Sequence, residues 1–296
     1  MRVAGFLAER SRAGAGDWEG FLDAQSKRVF ELWKAACGEQ DRPWKSQEGA
    51  LKGGRPETGR SSAGLRGRNF TACHSILVLD LEHSHGAQLL LDARNLSRTV
   101  MSGFTGWSHG HRGLRSSLQV LSDWTVDLDA NLLRLVVQSR VAPDWTNIPR
   151  RALAEGPAVR TVSHRFVEGD VFAFRTVIQP VSHVSQPSGR GRRVSRKGPE
   201  AAREWFTKRL QGPDEPRHDL RGIVRIGAQP GSDGLSVRSV PAATSTQGSC
   251  KGLHIDRAEV SGTLEVTDPA AFVTALTHGI GHGRSYSCGL LLPQLF

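Results

Sequence analysis

Ala258, Val260, Gly262, Leu264 and Val266 alternate with Glu259, Ser261, Thr263 and Glu265. A period of two places the first set on one face of a β-strand. Asp268-Pro269 follows at once, with Asp as N-cap and Pro at the first helical position. Phe272, Leu276 and Ile280 then recur at helical spacing, and Gly279 suits the left-handed residue that ends a helix. An apolar run over 285–292 predicts another strand. A strand that feeds a helix and then a strand must bury one helix stripe against one sheet face, which leaves few folds open.

The stretches upstream complete that unit. Residues 170–180 predict a strand through Phe172, Phe174, Thr176 and Ile178, and Gly198-Pro199-Glu200 opens a helix with Ala202, Phe206 and Leu210 on one face. Residues 220–226 predict a strand and 228–251, rich in Gly, Ser and Pro, a loop. The same order appears earlier. Ser75 to Leu81 is a near-continuous apolar run, as in a strand buried on both faces. A helix is expected over 86–103, strands at 118–126 and 133–137, a short helix within 146–155 and a strand at 159–166. Two β-α-β-β-α-β units predict an α+β chain of two tandem ferredoxin-like domains, 74–168 and 169–296. The halves share architecture, not sequence. Residues 1–73 differ: Trp18, Leu22, Val29 and Trp33 fit an amphipathic helix over 17–36, and 38–69 has the composition of a disordered linker.

A net charge of +10 on 296 residues points to a polyanionic partner, although Arg-rich composition alone also yields basic proteins. Cys37, Cys73, Cys250 and Cys288 are scattered without a C-x-x-C pair, which predicts free thiols in a reducing cytosol. No run approaches the roughly 20 apolar residues of a membrane span, and no signal-peptide core opens the chain. The expectation is a soluble, cytoplasmic protein with no membrane partner and no small-molecule cofactor.

Four stretches carry candidate chemistry. In 278–292, Gly279, Gly281, Gly283 and Arg284 form a glycine-rich turn. Its backbone N–H groups suit an anion nest, and its bare backbone equally suits a tight connection. The order helix then strand excludes a dinucleotide or P-loop fingerprint. In 189–197, Arg190, Arg192, Arg193, Arg196 and Lys197 gather without an acid, a composition that tracks phosphates in a mobile loop or is simply solvated. Arg94, Ser97 and Arg98 share one helix edge by their spacing, two guanidiniums beside a hydroxyl. His109 and His111 offer acid–base groups in the loop that follows, with no carboxylate or cysteine at metal-ligand spacing, so no metal is expected.

Together these residues resemble the CasE family, the CRISPR RNA-processing endoribonucleases of type I-E systems. The resemblance rests on Gly262-Thr263-Leu264-Glu265-Val266-Thr267-Asp268-Pro269 and Gly279 through Leu291. It is supported by Ala93 to Phe104, Val137-Gln138-Ser139 with Pro143-Asp144-Trp145, Phe172-Ala173-Phe174-Arg175, and the Gly-Arg-rich loop before Glu200-Ala201-Ala202-Arg203-Glu204-Trp205. It spans about 74–296. It implies paired ferredoxin-like domains and a CRISPR repeat RNA hairpin held by the basic loop and the glycine-rich turn. It further implies partner subunits of a Cascade complex, and metal-independent cleavage by attack of the ribose 2′-hydroxyl. One departure matters. The family's catalytic His stands where this chain has Ser97, and a Tyr is common where it has Arg94. Arg94, Ser97 and Arg98 are thus the catalytic candidates. Serine is a poor proton shuttle near neutral pH, so a binding subunit that does not cut is the alternative, and His109 or His111 would be the substitute acid–base groups.

Overall fold

The computed structural model describes residues 67–107, 113–184, 192–218, 223–245 and 251–294. The predicted helix over 17–36, His109, His111 and Arg190 lie outside the described residues, as does the side chain of Arg192.

The first unit is built from β1 (Arg68–Asp80), α1 (Ser84–Leu91), α2 (Ala93–Ser102), α3 (Leu114–Ser117), β2 (Leu121–Asp127), β3 (Leu132–Ser139) and β4 (Ala158–Phe166). Its antiparallel sheet has the order β2-β3-β1-β4. The second comprises β5 (Val171–Ile178), β6 (Val181–Val184), β7 (Arg192–Ser195), α4 (Pro199–Thr207), β8 (Ala228–Ser245), β9 (Leu253–Val266), α5 (Pro269–His278) and β10 (Leu291–Gln294). Its sheet runs β10-β5-β9-β8, with β6-β7 as a separate hairpin. In each sheet the first and third strands are central, the arrangement of two tandem ferredoxin-like folds in an α+β chain.

Several boundaries differ from the sequence expectation. β1 starts at Arg68, inside the supposed linker, because Arg68 to Ile76 pairs with β4 and there shows one buried face, Phe70 and Ala72, against exposed Asn69 and Thr71. The helix expected at 86–103 is two helices. Asp92 closes the first and caps the second, its carboxylate accepting from Arg94 N at 2.9 Å. The strand expected from 118 begins at Leu121, after the helical turn α3, and the helix within 146–155 shrinks to the 3-10 turn Arg150–Ala152.

The second unit departs further. In place of a strand at 220–226 the described residues hold a single bridge, His218 to Val224. The supposed loop at 228–251 contains β8, 18 residues long. Its register shifts between Pro230 and Leu235 and between Val240 and Ala243 absorb the prolines and glycines that read as loop. An edge strand tolerates them because only one side must donate to a neighbour. The basic loop is in part strand β7, and the last strand begins at Leu291 rather than 285, after a 3-10 turn over Arg284–Tyr286.

The two units share a core. Phe272 of α5 lies 5.1 Å from the rings of both Phe166 (β4) and Phe172 (β5), all three nearly or fully buried. α5 therefore sits between the helix-bearing face of its own sheet and the open face of the first, where Phe70 and Ala72 join the same cluster. Burying one such phenyl contributes about 1.5–3 kcal/mol. Reciprocally, Ala93 of α2 packs on the open face of the second sheet among Val177, Ala243, Ile255 and Cys288. Each unit lends a helix to the other's open sheet face, and this exchange brings α2 to the glycine-rich turn.

Candidate nucleic-acid interface

α2 buries Leu96 and Val100 against the first sheet and turns Arg94, Ser97 and Arg98 the other way. Arg94 and Ser97 are half-buried and Arg98 is exposed. The helix edge read from spacing is therefore real, and the turn Arg284–Tyr286 faces it. Arg115, at the start of α3, joins the two. Its Nη2 donates to Ser97 Oγ at 3.3 Å and its Nη1 to Arg284 O at 3.3 Å. Burial pulls the Arg115 guanidinium down to about 10, against the opposing influence of Tyr286. It stays cationic near neutral pH.

The Arg284 side chain is exposed, and Nη1 donates to His278 O at 2.8 Å, at the C-terminal end of α5. A cation there is favoured by the helix dipole. Gly279 ends α5 with φ 74° and ψ 169°, so its φ is positive as expected while its ψ is extended rather than helical. The glycines are accounted for by close packing inside the protein. A Cβ on Gly281 would lie 2.5 Å from Trp205 Cη2, and one on Gly279 would lie 2.8 Å from Leu121 Cδ2 across the domain seam. Gly283 opens the 3-10 turn beside Gln179 and Cys288. Ile280 N donates to Gly289 O at 2.8 Å, the close backbone approach that a bare chain permits. Burial pushes the Cys288 thiol up to about 11, so it is an inert packing group.

Below this site runs a polar seam that sequence reasoning missed. Arg175 (β5) donates to Asp123 (β2) and, through Nε at 2.8 Å, to Glu259 (β9). Arg238 (β8) reaches Glu259 at 2.7 Å. The Arg257 guanidinium lies 4.5 Å from the Trp124 ring, and its Nη2 donates to Ser287 O at 3.3 Å. Ser122 and Ser287 share a hydrogen bond of 3.0 Å between their hydroxyls. Burial opposes the charge on Arg175, but Asp123 and Glu259 outweigh it and hold its pKa above the usual arginine value. Burial likewise opposes the Glu259 carboxylate, yet Arg175 and Arg238 keep its pKa below the ordinary range. These partners are separated by up to 165 residues, and no spacing rule finds them. Arg115 was equally invisible, a single arginine in a four-residue helix.

The remaining predicted residues lie on the β6–β7 hairpin and the entry to α4. Arg193 and Lys197 are exposed. Arg196 pairs with Glu204 at 2.7 Å, and Glu204 also accepts from Lys208 at 2.6 Å. Hydrogen bonds from Lys208 and then Arg196 hold the Glu204 carboxyl down near 2. Ser195 Oγ donates to Asp256 at 2.8 Å, fastening the hairpin to β9. The segment 189–197 itself holds no acid, but Arg196 is paired with one from the helix that follows.

A sequence model of the family described as CRISPR associated protein matches residues 74–293. No curated protein matches the chain. Among solved structures, the chain is similar to Thermus thermophilus Cse3 bound to an RNA representing a pre-cleavage complex. Identity is 20% and the TM-score 0.56, covering 76% of this chain and 99% of that one. The CRISPR-associated protein Cas6e from Escherichia coli str. K-12 gives 17% identity and a TM-score of 0.51, covering 75% and 98%. A chain of a CRISPR RNA-guided surveillance complex gives 19% identity and a TM-score of 0.50, covering 76% and 100%. These likenesses carry the fold. Among the described residues no helix is long and apolar enough to cross a membrane.

Proposed function

The chain belongs to the CRISPR-associated protein family, and we propose from that premise that it is a CasE-like member, which binds the hairpin of a CRISPR repeat RNA and processes the precursor at the seam between α2 and the glycine-rich turn. The observation that carries this reading is the meeting of Ser97, Arg115 and Arg284 across the two ferredoxin-like units. In the reaction, the 2′-hydroxyl of a ribose gives up its proton and attacks the adjacent phosphorus. A 2′,3′-cyclic phosphate forms, the bond to the 5′-oxygen breaks, and that oxygen takes up a proton. Negative charge grows on the phosphoryl oxygens, and we assign its stabilisation to the cations Arg284, Arg98 and Arg94. Arg193, Lys197 and the rest of the basic hairpin follow the A-form stem, read through its shape and phosphates. The working unit is the first ferredoxin-like domain, from Arg68 at the start of β1 to 168, with 169–296, and the residues before it are an extension. The protein acts in the cytoplasm and keeps its product RNA within a Cascade-like complex.

A second reading is favoured by one specific observation. Ser97 Oγ accepts from a guanidinium, and among the described residues no base is hydrogen-bonded to it to take its proton. A subunit that binds the repeat and leaves it uncut fits that arrangement. Incubating the full chain with a repeat hairpin RNA in excess chelator separates the two. Cleavage to a cyclic-phosphate end supports the enzyme. Tight, salt-sensitive binding of uncut RNA supports the subunit. Hairpin and unpaired RNA of equal composition binding alike would refute both.

A further inference from the structure

Arg115 ties three separate pieces of chain with one side chain. Nη2 donates to Ser97 Oγ at 3.3 Å and to Ser97 O at 3.4 Å, while Nη1 donates to Arg284 O at 3.3 Å and to Val120 O at 3.4 Å. These lengths make each bond individually weak. Together they engage the N–H groups of both terminal nitrogens, on α2, at the approach to β2 and on the turn of the other domain. Val120 N also donates to Arg115 O at 2.8 Å, which fixes the root of the side chain. All four acceptors are neutral, so the half-buried charge is oriented without being neutralised.

The consequence for Ser97 is directional. Its hydroxyl oxygen accepts from Arg115, which occupies one lone pair and sends the hydroxyl hydrogen elsewhere. No acceptor for that hydrogen is found among the described residues, and Ser97 is half-buried rather than sealed. We propose that Arg115 is the positioning residue of the site: it turns the Ser97 hydroxyl outward as a donor for a phosphate oxygen and sets the spacing between α2 and the Arg284 turn. This rests on the RNA reading above. It gives Ser97 the role of hydrogen-bond donor to the phosphate, not of base. A lysine does not replace the guanidinium, because a point charge on a flexible stem cannot hold acceptors on two sides in a fixed fork.

The test uses the full chain and a hairpin RNA made from the host's CRISPR repeat, with a 2′-deoxy sugar wherever the wild type cuts. Dissociation constants are measured for the wild type, Ser97→Ala, Arg115→Ala, Arg115→Lys and the double variant Ser97→Ala/Arg115→Ala. Amide hydrogen exchange over 283–289 is measured without RNA. The expected result is a loss of roughly tenfold for each alanine variant and no further loss in the double variant, because one residue acts through the other. Arg115→Lys stays close to Arg115→Ala. Amides of the turn exchange faster in both Arg115 variants and unchanged in Ser97→Ala. Additive losses, rescue by lysine, or unchanged exchange would each overturn the assignment. Should Arg115→Ala fail to fold, Arg115→Lys, which keeps the stem and the charge, decides by the same two readouts. A wild type that does not prefer the hairpin overturns the RNA reading, and the exchange measurement then still decides whether Arg115 holds the turn.

Discussion

Arg175 on the first strand of the second unit donates to Asp123 on β2 of the first, inside a seam where both side chains are at least nine-tenths buried. Glu259 and Arg238 extend the pair, and Arg257 lies 3.8 Å from Asp123 on its other side. This network fixes the angle between the two sheets and with it the position of the turn beside α2. Removing Asp123 leaves Arg175 to share Glu259 with Arg238 and takes the carboxylate away from Arg257, so the buried cations are under-compensated. Asp123→Ala should therefore destabilise the chain by about 3–5 kcal/mol. Urea denaturation checks this, and a midpoint equal to the wild type's would refute the seam as a determinant of domain packing.

A histidine in the same interface makes stability depend on pH. His74 is 5% exposed, and its Nε2 and Gln138 Oε1 are 3.1 Å apart; Gln138 in turn donates to Leu276 O of α5 at 2.8 Å. Burial drives its pKa down to about 4 from 6.5, with the bond to Gln138 opposing only part of the shift. The unfolded chain thus binds a proton that the folded chain refuses. The contribution is complete above pH 6.5 and is lost as pH falls toward about 4, at roughly 1.4 kcal/mol per pH unit. Chemical denaturation at pH 7 and pH 5 should show this loss in the wild type and a smaller one in His74→Gln. Equal losses in both would show that His74 is not the titrating group.

The packing of the glycine-rich turn yields a third expectation. Gly281 has φ 70°, and an added Cβ would stand 2.5 Å from Trp205 Cη2. Trp205 cannot retreat freely, because its Nε1 donates to Val181 O at 2.9 Å. Gly281→Ala should cost about 1–3 kcal/mol through strain and overpacking together. Thermal unfolding provides the check, and an unchanged melting temperature would mean that the turn relaxes without cost.

How far the sequence revealed this molecule depended on whether a signal was local. Alternation over 258–266 and the Asp268-Pro269 start marked β9 and α5, and a helix edge of Arg94, Ser97 and Arg98 followed from spacing alone. β8 was hidden because its prolines and glycines report a loop, while its bulges on an edge strand permit them. The role of the glycines was only half legible: bare backbone predicts close approach, and Trp205 and Leu121 are what approach. Arg115 and the Arg175–Asp123 seam carry no local mark. Their partners come from distant strands, and only the packing of one domain's helix on the other's sheet brings them together.

Binding should separate the cations of the basic hairpin by their pairing. Lys197 and Arg193 are exposed, whereas Arg196 is held by Glu204. A cation that neutralises a phosphate releases a counterion, so removing it lowers the salt slope of binding by about 1. Lys197→Ala and Arg193→Ala should each do so, and Arg196→Ala should change the slope less. Affinity for the repeat hairpin across a salt series measures this, and identical slopes for all three variants would contradict the pairing argument.

The last expectation concerns chemistry at position 97. Metal-independent strand cleavage needs a group that moves a proton near neutral pH, and a serine hydroxyl beside a guanidinium does not. Position 97 is half-buried on α2, within reach of Arg115 and one residue from exposed Arg98. A histidine placed there retains the helix, since neither Leu96 nor Val100, the buried anchors, is disturbed. Its ordinary pKa near 6.5 suits proton transfer. Ser97→His should therefore raise single-turnover cleavage of the repeat hairpin by roughly 10²–10⁴-fold. The gain should follow a pH profile with an inflection in the histidine range. Equally fast cutting by the wild type would show that another group already supplies the proton transfer, and His109 and His111 are then the residues to replace.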